Sequence, residues 1–240
     1  MPYGYRRTYR RRAATGARKQ RNPYRKRSKY VSARKMPMRM AKPIFRSGVP
    51  THLFTKLKYS DIYSLTGTTA PTQQVWRINS LHDPDLTGTG HQPYYYDQLT
   101  AMWDAYRVYG AKFEFWFETT TGSENAAVCI RATYNNNPDS SVDISQSMER
   151  PNEIVRMLTP QRPTYIKKYF SVASVYGTSK QRVRTDDIFS ALVGANPGNV
   201  AYLTLSGQTA NESSGAIAIT ARVRITFYAK MFLRSSPAQG

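Results

Sequence analysis

Three histidines, one cysteine and fifteen acidic residues are the first candidates this 240-residue chain offers for acid–base, thiolate or metal chemistry. His52, His82 and His91 form neither a His-x-x-x-His nor a His-Glu-x-x-His pair, the spacings that put two imidazoles on one helical face for zinc. His82-Asp83-Pro84-Asp85 gathers an imidazole and two carboxylates, but adjacent residues in a proline turn point different ways, so a solvated turn is expected there instead of a metal site. Cys129 falls on a strand face with Ala127, Arg131 and Thr133, and no partner base for a thiolate is indicated, which predicts a packing or surface role. A lone cysteine also excludes an intrachain disulfide framework. Asp61, Asp83, Asp85, Glu124, Asp139, Asp143, Glu149 and Glu153 lie mainly in turns, and the Asp186-Asp187 pair reads as a helix cap or subunit ion pair before a divalent-cation site. The Gly-x-x-x-x-Gly-Lys-Ser/Thr phosphate loop is missing, and Thr87-Gly88-Thr89-Gly90 lacks the third glycine and the helix of a dinucleotide fingerprint. No catalytic residue, metal or cofactor is expected, and the chain is read as a non-enzyme.

The chemistry that does stand out is cationic. The chain has 35 Lys+Arg against 15 Asp+Glu, a formal charge of +20, and residues 1–50 hold 17 of those basic residues with no acid. Charge therefore divides into +17 on an N-terminal arm and +3 on the remainder. The clusters Arg6-Arg7, Arg10-Arg11-Arg12, Arg18-Lys19-Arg21, Arg25-Lys26-Arg27-Lys29 and Arg34-Lys35 are interleaved with aromatic residues, among them Tyr9 and Tyr24. Guanidinium groups match phosphate oxygens bidentately, and tyrosine rings stack on unpaired bases of any sequence. The arm thus reads as a sequence-independent, salt-sensitive ligand for nucleic acid with single-stranded regions. So much like charge with so little aliphatic content predicts disorder until a polyanion is met. Arg25, Lys26, Arg27 and Lys29 also have the composition of a nuclear-import signal. An organelle transit peptide is disfavoured by Pro2, Pro23, Pro37 and Pro43, which oppose an amphipathic helix.

What must position these groups is a body that starts near Ser47–Pro50, where charge becomes mixed and apolar residues begin to alternate. Ile217, Ile219, Ala221, Val223, Ile225, Phe227, Ala229, Met231 and Leu233 alternate with polar or basic neighbours. Leu53–Leu65 has the same period, and Gln73–Asn79, Val108–Glu118, Ala126–Tyr134, Thr164–Tyr176, Val200–Ser206 and a short Asp186–Ser190 complete about eight strands, the number of a jelly roll. Leu99, Met102, Trp103 and Tyr106 fall at helical spacing after Asp97, which predicts a short helix capped by Asp97, with Trp103 as a packing anchor. Leu81–Gly90, Asn135–Pro151 and Gly207–Gly215 read as long polar loops. No apolar run approaches a membrane span, and no apolar stretch follows the basic N-terminus as a secretory signal requires, so neither membrane insertion nor secretion is expected. The fold class is all-β: a single eight-stranded antiparallel jelly roll over 49–240 with a short helix, behind a disordered arm over 1–48.

The opening MPYGYRRTYRRR, the segment from His91-Gln92-Pro93-Tyr94 to Asp97-Gln98, and Tyr106-Arg107-Val108-Tyr109-Gly110-Ala111-Lys112 leading into an aromatic strand resemble the capsid proteins of circoviruses and related small circular single-stranded DNA viruses. The arm departs from the more purely arginine pattern of that group in Lys19, Lys26, Lys29, Lys35 and Lys42. The resemblance implies self-assembly into a T=1 icosahedral shell of about sixty copies, whose inward arms would neutralise on the order of a thousand phosphates of a single-stranded genome. It further implies residence in the virion, passage through the host nucleus by an import receptor, and attachment to a host receptor. In a jelly roll the first and last strands are neighbours, which would bring Lys56 and Lys58 beside Arg222, Arg224, Lys230 and Arg234 as a basic patch supplementing the arm. The coat of a small single-stranded RNA virus fits the same arm, and a non-viral basic-tailed nucleic-acid chaperone or ribosome-associated protein is the competing class.

Overall fold

The computed structural model describes residues 50–119, 125–134, 143–150, 153–160, 162–210 and 216–235. The chain divides into two units, Met1–Gly48 and Val49–Gly240, and the described residues all belong to the second. The arm residues expected to bind nucleic acid or an import receptor, from Arg6 to Lys35, lie outside the described residues.

Among the described residues nine strands form two antiparallel sheets: β1 (His52–Gly67), β2 (Thr72–Arg77), β3 (Trp103–Thr119), β4 (Ala126–Thr133), β5 (Ile154–Leu158), β6 (Thr164–Ser171), β7 (Ser190–Leu192), β8 (Tyr202–Thr209) and β9 (Ile217–Arg234). One sheet runs β1-β9-β3-β6, with the short β7 also on β3, and the other runs β2-β8-β4-β5. The pairs β1–β9, β2–β8, β3–β6 and β4–β5 are nested, so the chain is one long antiparallel ribbon doubled back between β4 and β5. Pairing of β3 with β9 and of β4 with β8 then rolls that ribbon into two packed layers. This is the eight-stranded jelly roll, with β7 as an added strand.

Alternation decides which side chains fill the space between the layers. From β1, Leu57, Tyr59 and Leu65 are buried; from β9, Ile219, Val223, Ile225 and Phe227; from β8, Leu203 and Leu205. Phe113, Phe115 and Phe117 of β3 stack in series at 6.0 and 5.6 Å, and Trp76 of β2 tilts onto the first two. The second sheet is also covered outside: α2 (Ile144–Glu149), capped by the Asp143 carboxylate accepting from Ser145 N, packs on β4 and β5. Cys129 is buried there with its thiol donating to Glu153, and burial pushes the thiol up to about 11, so a packing role stands and a thiolate at neutral pH does not.

Several boundaries differ from the sequence expectations. The helix expected over Asp97 to Tyr106 is only α1 (Tyr96–Thr100); its start is Tyr95 in a left-handed conformation, and Asp97 lies inside the first turn instead of capping it. Trp103 and Tyr106 belong to β3 because pairing with Arg234 and Met231 of β9 outweighs their helical spacing, although Trp103 is buried as an anchor. Thr164–Tyr176 turns helical after Ser171, as α3 (Val172–Val175), and Asp186–Ser190 is a 3-10 turn over Asp187–Phe189 leading into β7. There Asp186 caps the turn by accepting from Ile188 N, as the cap reading anticipated, and pairs with Arg182 of α4 (Lys180–Thr185). β5 and α2 were not expected, and α2 occupies part of the anticipated Asn135–Pro151 loop.

The His82–Asp85 turn is not solvated. Asp85 is buried and accepts from the Tyr63 hydroxyl, Gln74 Nε2 and both the backbone and hydroxyl of Thr87, while Asp83 pairs with Arg77 at 2.6 Å. Burial of a polar group requires that its hydrogen-bonding capacity be filled in this way. Both carboxylates are thereby committed to holding the loop onto β1 and β2.

Candidate nucleic-acid interface

The expected juxtaposition of the first and last strands is present as a sixteen-residue antiparallel register. Because β1 and β9 bury one parity of side chains, the other parity must face outward together. Lys56 lies opposite Tyr228 and Lys58 opposite Thr226; Ser60 pairs with Arg224 and Ile62 with Arg222; Phe54 pairs with Lys230. Lys56, Lys58, Arg222 and Arg224 are all exposed, so the four body residues expected to bind nucleic acid share one face.

β3 and β6 extend this face beyond what sequence reasoning had assembled. Lys112 stands beside Thr226 and Tyr169, Glu114 beside Arg224 and Lys167, and Trp116 beside Arg222 and Tyr165. The signal for Lys112 was available, since placing Phe113, Phe115 and Phe117 inward sends the intervening residues out. That β3 is the other neighbour of β9 was not available from alternation alone. Apart from Arg107, which is buried and paired with Asp187, the outward parity of the four strands carries Lys56, Lys58, Lys112, Lys167, Arg222, Arg224 and Lys230 against Glu114 and Glu118.

These cations are not equivalent. Glu114 is buried on the face and accepts from Arg224 Nε at 3.1 Å, Lys112 Nζ at 2.9 Å and the Tyr165 hydroxyl at 2.9 Å. The Arg224 hydrogen bond, reinforced by Lys112 and Tyr165 against the opposing effect of desolvation, holds the Glu114 carboxyl at about 2. Arg224 also lies over the Trp116 ring at 5.1 Å. Arg224 is therefore partly neutralised, whereas the exposed Arg222, Lys58 and Lys167 make no ion pair among the described residues. Arg107, at the β7 end of β3, is buried and committed to Asp187 and the Arg184 carbonyl. Arg234, expected in the same patch, falls past the regular alternation: Leu233 takes φ 56°, and Arg234 Nε donates to the Pro50 carbonyl.

At one end the face becomes aromatic. Phe54, 64% exposed, stacks on Tyr109 with centroids 6.3 Å apart, and Tyr169 meets Tyr228 edge-on at 5.6 Å. Lys56 Nζ sits over Tyr228 and Lys230 Nζ over Phe232, each at 5.4 Å. Tyr109 is the extra residue of a β-bulge, since Val108 pairs with Ala229 and Gly110 with Tyr228. A bulge redirects the side chain it carries.

No family model matches the chain, and neither does any curated protein. Among solved structures the chain is similar to the giant freshwater prawn Macrobrachium rosenbergii nodavirus semi-empty particle, at 15% identity over 81% of this chain and 100% of that one, with a TM-score of 0.41. It is also similar to the empty head of turnip yellow mosaic virus, at 10% identity over 80% and 88% of the two chains and a TM-score of 0.40. Desmodium yellow mottle tymovirus is a third such structure, at 10% identity over 79% and 94% and a TM-score of 0.36.

Proposed function

We propose that this chain is a structural capsid protein, whose jelly-roll body builds a small icosahedral shell and whose arm binds the single-stranded genome. The observation that carries this reading is the partition of charge: an acid-free segment with 17 cations leads directly into β1, whose outward face with β9, β3 and β6 carries seven cations against two carboxylates. A rigid antiparallel body offers sheet edges and loops for subunit contacts, while the arm neutralises phosphate and reduces repulsion between copies. Lys56, Lys58 and Arg222 supplement the arm on the genome side, with Arg224 contributing less because Glu114 holds it.

The resemblance of the arm and of residues 91–112 to circovirus coat proteins supports circular DNA as the cargo, about sixty copies as the shell and the nucleus as a station during assembly, reached through Arg25, Lys26, Arg27 and Lys29. Electron microscopy of the purified protein tests the reading, with uniform particles expected and a monodisperse monomer refuting it. Nuclease typing of nucleic acid extracted from the particles then separates DNA from RNA. Deleting residues 1–46 should preserve the thermal transition of the body and abolish packaging; particles that still protect nucleic acid would remove the arm's role.

A further inference from the structure

We propose that the aromatic end of the β1-β9-β3-β6 face is a stacking site for an unpaired nucleobase of single-stranded nucleic acid. The inference rests on the nucleic-acid reading above and narrows it to particular rings. Two adjoining hollows of about 660 and 480 Å³ share Phe54 and Tyr109 as a common wall. Tyr169 lines the first and Tyr228 the second. Each volume lies within the range of small-ligand sites.

Phe54 and Ile62 are both exposed apolar residues on the outward parity of β1, and Phe54 is the one set against other rings. It stands at an outward position of β1 between His52 and Lys56 and leaves most of its ring in water, where a half-buried strand ordinarily carries a polar residue. Its stack on Tyr109 depends on the bulge, and Tyr169 reaches the same place only because residue 110 is glycine. A Cβ at Gly110 would stand 2.5 Å from the Tyr169 hydroxyl and 2.6 Å from the Phe170 carbonyl oxygen. Bulge and glycine thus collect rings that strict alternation would have left apart.

Charge identifies the occupant. Lys180, Arg184 and Lys230 line the first hollow and Lys56 the second, with no carboxylate among the described residues that line either. Lys56 lies over the Tyr228 ring, and Lys230 lines the first hollow beside Phe54 and Tyr109, which places both ammonium groups beside the stacking surface. Rings for a base and cations for its flanking phosphates are the two parts of a sequence-tolerant single-strand site. The chain's own arm is a poor occupant, because its 17 cations would face four more. An uncharged apolar segment would leave those four cations without a counter-charge.

The test uses full-length protein and a short oligothymidylate carrying 5-bromouracil, irradiated at high salt, with cross-linked peptides mapped by mass spectrometry. Cross-links are expected on the peptides bearing Phe54, Tyr109 or Tyr228. Phe54→Ala should weaken high-salt affinity for oligothymidylate roughly fivefold or more, the loss of one stacked base, without changing affinity for an abasic oligomer of equal length. Phe54→Trp should retain binding, and since Phe54 is exposed neither substitution threatens the fold. Cross-links confined to residues 1–49, with Phe54→Ala indistinguishable from the parent, overturn the stacking site while leaving the arm's role intact. Failure to bind oligothymidylate at all overturns both. A Phe54→Ala protein with unchanged affinity but impaired particle formation would show that another copy of the chain covers the cleft, and this too overturns the proposal.

Discussion

Arg222 and Arg224 are two residues apart on one strand and one face, yet substitution by glutamine should separate binding from stability. Arg222 makes no hydrogen bond or ion pair among the described residues, so Arg222→Gln removes one phosphate contact and little else. The slope of log K against log salt should fall by about 0.7 for a single strand, with stability unchanged to within about 0.5 kcal/mol. Arg224→Gln instead takes from buried Glu114 one of its three donors. A hydrogen bond to a charged group contributes about 1.5–3 kcal/mol; the arginine side chain is 44% exposed, so solvent screening reduces this toward about 1 kcal/mol. In a domain of this size that lowers Tm by about 2–4 °C. The sign with pH follows from the carboxyl, which is lowered in the fold from 4.5 to about 2. Its contribution is complete above about pH 4.5 and is lost as pH falls toward 2, so the Tm difference between parent and Arg224→Gln should shrink over that interval. Differential scanning fluorimetry and salt-titrated fluorescence anisotropy measure the two effects. Equal Tm losses in the two variants, or a difference that widens with acid, would refute the assignment of Glu114 as the counter-ion.

Other outcomes follow from the same geometry. His91 stacks on Tyr59 and directs its two ring nitrogens at carbonyl oxygens, Nδ1 at Gln92 O and Nε2 at Ser60 O, which only a doubly protonated ring satisfies. Those carbonyl bonds raise its pKa above 6.5, against some desolvation and with help from Asp61, so its tether of the loop to β1 is complete below about pH 6.5 and is lost as pH rises through the raised value; an NMR titration midpoint at or below 6.5 contradicts this. Gly110→Ala should cost about 1–3 kcal/mol in denaturant unfolding, because the backbone carbonyl of Phe170 cannot yield as a side chain could. Phe115→Ala, which opens the ring stack between the sheets, should cost about 3–5 kcal/mol in the same assay. Cys129, buried with a thiol near 11, should resist iodoacetamide at neutral pH until the protein unfolds, and alkylation at the rate of a free thiol argues against the α2 cover.

The two-sheet architecture was legible because its most regular strands are its outermost pair. Leu57, Tyr59, Ile225 and Phe227 alternate cleanly, and period two fixes both the buried face and, by exclusion, the position of Lys56, Lys58, Arg222 and Arg224. Where both faces of a strand are buried, that signal fails: β4 runs Ala126 to Arg131 without an exposed residue, so neither the covering helix nor the burial of Cys129 could be read from periodicity. Leu99, Met102, Trp103 and Tyr106 misled for the opposite reason, since a helical spacing arose by coincidence across a helix–strand junction. Asp85 was misjudged because its partners Tyr63 and Gln74 come from two different strands, and a turn's own sequence does not reveal what folds over it.

Charge was legible in amount but not in direction. The body's +3 is a sum over a face at +5, from seven cations and two carboxylates, and a remainder at −2. The carboxylate nearest the middle of that face is buried and saturated by Arg224, Lys112 and Tyr165, so it relieves repulsion among the cations without projecting negative charge to a ligand. The excess of positive charge on this sheet would favour approach of a polyanion to that face over the net-negative remainder of the body. Reversing Glu118, the exposed acid at the far end of the face, to lysine should strengthen single-strand binding at low salt and have no effect at high salt. A gain that persisted at high salt would mean the substitution had created a contact instead of altering the field.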